Sequence, residues 1–333
     1  MLFFITCACF ALFPEQVLYG AQNGLALCIN AVIPSLLPFM LVSSCIIKSN
    51  FSKPLGVLIS KVITPLTGIS PGGCVCFVTG ILGGYGAGAR AVCDSFRQGI
   101  ISKKEAEKLL PFCNNAGPLF VIGTVGIGFF ASKSTGMLLW MVQLLTALVC
   151  VSFLGGNYAG KSESIRQAWK EYKNNKPSFG KLVTQVATES GAAIVTACVF
   201  VITFSALAEV IPLGKYGYLS GILEITRAVA QLARPGMTAL PLISALIAWG
   251  GISVHFQASA LSEGIFSMKN YYFGKIIEGL VAFILALMCL SDVNILVLIS
   301  VICIGFMVFA GIIKKLFSPK SFQRHGFRLR RRS

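Results

Sequence analysis

Charge is what this chain has least of. Only 12% of its 333 residues are Asp, Glu, Lys or Arg, where a soluble domain carries roughly 25%. Acidic residues are scarcest: 12 Asp and Glu stand against 28 Lys and Arg, leaving +16 at neutral pH. Histidine occurs twice, and the 12 cysteines include no Cys-x-x-Cys pair. No His, Cys and carboxylate spacing argues for a metal, and no disulfide framework can be read. The cysteines read instead as small buried hydrophobes. Gly83-Gly84-Tyr85-Gly86 is not followed by Gly-Lys-Ser/Thr, which excludes a nucleotide-phosphate loop. With no nucleophile–base pair visible either, neither an enzyme nor a cofactor is expected.

What is there is apolar. The chain is 55% hydrophobic with a mean hydropathy of +0.79, which predicts an all-α polytopic membrane protein. The basic excess gathers in short loops and at the C-terminus and forms no folded basic domain, so no nucleic-acid partner is expected. Met1–Phe13 lacks a basic leader and a small-residue cleavage site, and reads as a first membrane segment. Spans are expected at Ile33–Ile47, Leu138–Leu154, Leu182–Ile211, Ile276–Leu290 and Ile295–Ile313. Gly72–Ser95, Leu109–Phe130 and Thr238–Leu261 are long enough to cross but carry Gly, Pro, Asn or charged residues inside. Leu55–Thr67 and Tyr218–Ala233 fit re-entrant or interfacial helices. The organisation is an N-terminal segment (1–20), a first repeat (21–156), a basic linker (157–181), a second repeat (182–313) and a basic tail (314–333). Linker and tail are expected in the cytoplasm, the tail as an anchor touching anionic lipid.

Two glycine-rich breaks stand out: Gly83 to Arg90, and Gly250 to Gln257. A shift of 165 residues lays Gly86 on Gly251, Arg90 on His255, and Gly99–Lys104 on Gly264–Lys269. Paired breaks in apolar segments point to a transporter binding site, because irregular backbone at membrane depth must be buried or line a cavity. If every segment crosses fully, the repeats are parallel; if one is re-entrant, they are inverted. Arg90 and His255 follow the breaks, where helix N-termini favour anions, and suggest an anionic, carboxylate-bearing substrate. The alternatives are a snorkelling Arg90 and a His255 that bridges helices. Asn114 and Asn115, ahead of Pro118, either line a cavity or cap a helix. Glu224, among Leu and Ile, is the candidate for a coupling proton or ion, or the partner of Arg227. Glu189 is a weaker candidate of the same kind.

These motifs together resemble the nucleoside-recognition, or gate, membrane domain, and within it the YlbJ/SpoVV-type sporulation integral membrane proteins. The resemblance covers about Ala21 to Ile313. It rests on Pro34-Ser35-Leu36-Leu37-Pro38-Phe39, Gly84-Tyr85, Phe112 to Phe120, Leu223-Glu224-Ile225-Thr226 and Gly250 to Gln257. Two positions depart from the family: Gly86 replaces a usual Pro, and Arg227-Ala228 stands where a Gly is usual. The resemblance implies a fold similar to concentrative nucleoside transporters, with two re-entrant hairpins and two broken helices meeting at the midplane. It implies movement of dipicolinic acid across a cell membrane or the membrane around the forespore. The expected substrate-binding residues are Tyr85, Gly86, Arg90, Asn114, Asn115, Thr226, Ser253, His255 and Gln257, with Glu224 for coupling. The expected partners are a small anion and membrane lipid, with a homo-oligomer or a sporulation membrane partner also considered. A non-transporting scaffold and a nucleoside-type transporter are the rival expectations.

Overall fold

The computed structural model describes residues 10–154, 158, 164–210, 221–233 and 239–290, and among them the structure is helical with no strand. The helices are α1 (Pro14–Leu27), α2 (Ile33–Lys48), α3 (Ser52–Thr67), α4 (Pro71–Gly83), α5 (Ala87–Arg97), α6 (Lys103–Cys113), α7 (Lys133–Leu154) and α8 (Ile165–Asn174). They continue as α9 (Phe179–Val210), α10 (Ile225–Leu232), α11 (Leu240–Trp249), α12 (Gly251–Ser262) and α13 (Lys269–Cys289). Among the described residues, five helical runs are long and apolar enough to cross a membrane: Pro14–Lys48, α7, α9, Leu240–Ser262 and α13. The expected span Ile295–Ile313 and the basic tail lie outside the described residues, as do most of Met1–Phe13 and parts of the linker and of Tyr218–Ala233.

The first run is α1 and α2 joined by a wide helical turn, Cys28–Val32. Pro34 cannot donate to the carbonyl four residues back, at Asn30, and a π-type turn absorbs that misfit. Helix α9 packs antiparallel along this run. Gly20 lies against Ser205 and Ala206, Gly24 against Ile202, and Cys28 Sγ donates to Cys198 O at 3.7 Å. The glycines are required by that approach: a Cβ on Gly20 would lie 2.7 Å from Ala206 Cα. At the far end Lys48 pairs with Glu189 at 2.9 Å. Pro14 and Phe179 open these two helices 165 residues apart, and the helices run in opposite directions. Of the two expected arrangements of the halves, this direction fits the inverted one.

The reason appears in the next elements. Helix α4 starts at a Ser70 cap, whose hydroxyl accepts Gly73 N at 3.1 Å, and α5 comes straight back along it. Cys76 Sγ donates to Ala91 O at 3.5 Å, and the Gly80 and Gly88 backbones touch. The pair is a re-entrant hairpin, its tip at Gly83–Gly86 and both ends at one face. Glu105 of α6 ties down its base by accepting Ser70 N at 2.9 Å. Helix α3 meets α4 at 88°; α8 packs on α3 through Phe51, Trp169 and Tyr172 and through Lys53–Glu171 at 2.7 Å. This face, which also carries Lys48 and Arg97, is the basic face.

From there α6 runs inward to a break at Asn114–Pro118 and continues as a π-helical arm, Leu119–Phe129, toward the opposite face. Helix α7 returns along that arm, with Gly126 against Gly136, until Tyr158 N donates to Gly68 O at 2.7 Å. In the second half the chain doubles back at Glu224, bringing Gly221 against Ala228. Helices α11 and α12 then form one broken span, interrupted by Gly250 (φ 84°) and Gly251 (φ 78°). It ends at the basic face, where Arg97 meets Leu261 O at 3.3 Å and Glu263 at 3.1 Å.

The matched breaks of the 165-residue shift therefore differ in kind. Gly83–Gly86 is a hairpin tip, and Gly250–Gly251 interrupts a crossing helix. The counterpart of the tip is the turn at Glu224, and the counterpart of Gly250–Gly251 is Asn114–Pro118. The loop match has a local cause. Gly99 (φ 69°) and Gly264 (φ 72°) each follow a helix end on the same face, where Ser267 N donates to Glu107 Oε1 at 2.9 Å.

Candidate functional site

All four breaks converge. At the hairpin tip Gly84 (φ 84°) and Gly86 (φ 76°) adopt backbone that side chains disfavour. That conformation aims Gly86 N at Asn114 Oδ1, 2.8 Å away in the first broken span. The Tyr85 hydroxyl donates to Ile247 O, a carbonyl just ahead of the second broken span's interruption. Gly251 in turn lies against the Leu223–Ile225 backbone. Between them is a buried cavity of about 30 Å³. Tyr85, Phe120, Glu224, Thr226 and Gln257 line it, closed off by Val32 and Leu36 of the first run.

Glu224 is 1% exposed. Its carboxylate caps α10, accepting Thr226 N at 3.1 Å and Arg227 N at 2.8 Å, which is how a helix N-terminus holds an anion. Arg227 pairs instead with Glu209, at 2.7 Å. Gln257 Nε2 also borders the cavity, is buried against Gly86, and has no hydrogen-bond partner. The Ser253 hydroxyl one turn earlier is buried and unpartnered too. Buried polar groups without partners are uncommon enough to need an explanation.

The other expected residues go elsewhere. Asn114 Nδ2 donates to the Tyr271 hydroxyl at 2.8 Å, so this side chain ties the tip to α13. Asn115 joins a closed triad with Lys275 and Glu278 of α13. Lys275 Nζ donates to Asn115 Oδ1 at 2.8 Å and Glu278 Oε2 at 2.7 Å. Asn115 Nδ2 donates to Phe112 O at 2.8 Å, a carbonyl freed by the break. Lys275 and Glu278 escaped the sequence reading although both interrupt an apolar run three residues apart. An oppositely charged pair at that spacing on a helix was the available signal.

His255 does not face Arg90. Its Nε2 lies 3.0 Å from Trp249 O, and its ring stacks on Tyr272 with centroids 5.5 Å apart. That is the helix-bridging arrangement. Arg90 lies on α5, on the basic-face side of the tip. It binds Glu189 through both its carboxylate and its carbonyl, and Ser44 Oγ at 3.1 Å. Asp94 lies 3.5 Å from its Nε. Arg90, Asp94 and Glu189 line a separate cleft of about 630 Å³ together with Lys48, Arg97 and Glu263. So Tyr85, Glu224, Thr226 and Gln257 share the central cavity with Gly86 at its rim, Arg90 belongs to the cleft, and the asparagines and His255 brace the elements around both. Among the described residues no cluster of three or more His, Cys, Asp or Glu is placed to hold a metal ion.

No family model matches the chain, and no solved structure does. It is 26% identical over 312 residues to the sporulation integral membrane protein YlbJ of Bacillus subtilis strain 168, covering 81% of this chain and 76% of that protein. This similarity and the five candidate spans make the chain a multi-pass membrane protein that is similar to that integral membrane protein.

Proposed function

We propose that the chain is a transporter of sporulation that moves a small anionic metabolite, dipicolinic acid, across a membrane. The observation that carries this reading is the convergence of two hairpin turns and two broken spans beside one small buried cavity, mostly apolar in its lining, into which Glu224, Thr226 and Gln257 bring polar groups. Breaks of this kind belong at a transport midplane. Three helices begin there with N-termini turned inward, at Ala87, Ile225 and Gly251, and such ends favour anions. Glu224 already occupies one of them. Gln257 offers an unused donor beside it.

A cavity of about 30 Å³ admits a water molecule or two, while ligand sites run to roughly 300 Å³ or more. The arrangement is thus a closed one. The wide cleft on the basic face is the open route, and passage needs the α4–α5 hairpin to move. The same small volume supports the second reading, a non-transporting scaffold whose breaks serve close packing.

The test is uptake of radiolabelled dipicolinate by the purified protein in liposomes. The expected result is saturable uptake, reduced about tenfold or more by Glu224→Gln, a loss of about 1.4 kcal/mol of stabilisation. Asn114→Ala should reduce it also. Absence of uptake for dipicolinate and for other small anions supports the scaffold.

A further inference from the structure

The cleft on the basic face has features that the central cavity does not explain. Arg90 and Arg97 lie on one side of α5, about 10 Å apart at 1.5 Å per residue. Each is held by a carboxylate from another element: Arg90 by Glu189 of α9, Arg97 by Glu263 after α12. Asp94 lies between them, 3.5 Å from each arginine and 3.8 Å from Lys48. Acidic residues are the scarcest charge in this chain, yet three of them meet here. These pairs clamp α5, the return arm of the hairpin, to α2, α9 and the end of α12. While they hold, the tip stays over the central cavity.

The clamp is asymmetric. The Arg90 side chain is 9% exposed and that of Glu189 is 32%. Ser44 Oγ and the Glu189 carbonyl hold the guanidinium in place, whereas the Glu189 carboxylate, which also pairs with Lys48 at 2.9 Å and accepts from Gln185 at 2.9 Å, borders the open cleft. Carboxylate is therefore the exchangeable partner, and guanidinium geometry accepts one carboxylate as readily as another.

We propose that Glu189 is an internal stand-in for the transported anion. A carboxylate of an incoming dicarboxylate replaces it on Arg90, the second carboxylate reaches Lys48, which Glu189 also vacates, or Arg97, and the loss of the Glu189 bridge loosens the hold of α9 on α5. This rests on the transport reading above and gives it a trigger: the substrate itself opens the clamp.

Cys93 lines the same cleft, is 1% exposed, and reports movement of α5. The experiment uses the full-length protein in nanodiscs. Maleimide modification of Cys93 is followed by peptide mass mapping, with and without dipicolinate, and dipicolinate binding is measured in parallel. In the wild type, dipicolinate should accelerate Cys93 modification. In Glu189→Gln, modification should be about tenfold faster without ligand, and dipicolinate should bind more tightly, because its competitor is gone. Glu189→Asp should return both toward wild type. Lys53→Gln, which removes an ion pair outside the cleft, should change neither. Unchanged Cys93 modification or weakened binding in Glu189→Gln overturns the exchange. If that happens while liposome uptake persists, the exchange alone is lost. If Glu189→Gln opens the cleft but no dicarboxylate does so in the wild type, the exchange fails together with the substrate assignment.

Discussion

At the scale of single residues, glycine decides how closely the hairpin can pack. Gly88 of α5 faces both Gly80 of α4 and the Cys113 carbonyl at the end of α6. A Cβ at Gly88 would overlap that carbonyl oxygen and crowd the Gly80 backbone, so backbone would have to shift. Overpacking of this kind costs about 1–3 kcal/mol, and more where backbone must move. Gly88→Ala is expected to lower the thermal unfolding midpoint in detergent by several degrees. Gly191→Ala is the control: nothing lies within 4 Å of its Cβ position, and its helix should gain up to about 1 kcal/mol from propensity. A midpoint for Gly88→Ala equal to wild type would mean that α4, α5 and α6 do not meet there. The sequence alone marks both glycines as permissive. It does not distinguish the one that touches a carbonyl from the one that faces open space, because that depends on a neighbour 25 residues away.

At the scale of elements, the buried pair on α13 joins the first broken span to the last described helix. Lys275 and Glu278 are 0% and 1% exposed, and with Asn115 they complete each other's hydrogen bonding. Removing one member leaves a buried uncompensated charge, worth about 3–5 kcal/mol of destabilisation, whereas replacing both by apolar side chains is often neutral. Lys275→Met should therefore destabilise strongly in a thermal or denaturant assay. Adding Glu278→Leu should recover most of the loss. A double variant as unstable as the single one would show that packing, not charge, governs this site. The span expected from apolar length began at Ile276. Helix α13 instead starts at Lys269, with Lys275 neutralised inside it by Glu278. The polar residues of the site were legible individually in the sequence: Tyr85, Glu224, Thr226 and Gln257 do surround one cavity. Their grouping was not. Arg90 and His255 both follow glycine breaks, but one break turns the chain back and the other lets it continue, so the two side chains serve different neighbours.

At the scale of the whole molecule, that distinction sets the topology. A short run of glycines looks the same in sequence whether the next helix reverses or proceeds; contacts far along the chain decide it. Here the base of the hairpin marks the reversal: Gly72 lies against Ile100 and Ile101, and Ser70 N reaches Glu105. Segment 70–102 thus begins and ends at the basic face, and α6 with its π-helical arm makes the crossing. An odd number of crossings in this place inverts everything that follows, which is what lets α9 run antiparallel to α1 and α2. The arrangement predicts the sidedness of single sites directly. Cysteines introduced at Asn50, Ser102, Asn175 and Ser267 should all react with a membrane-impermeant maleimide from one side of sealed vesicles, read against the native cysteines by peptide mapping. A cysteine at Ser132, in the turn between the π-helical arm and α7, should react only from the other side. If Gly72–Ser95 crossed fully, Ser102 would react from the side opposite Asn50, and the central cavity would lose the tip that closes it.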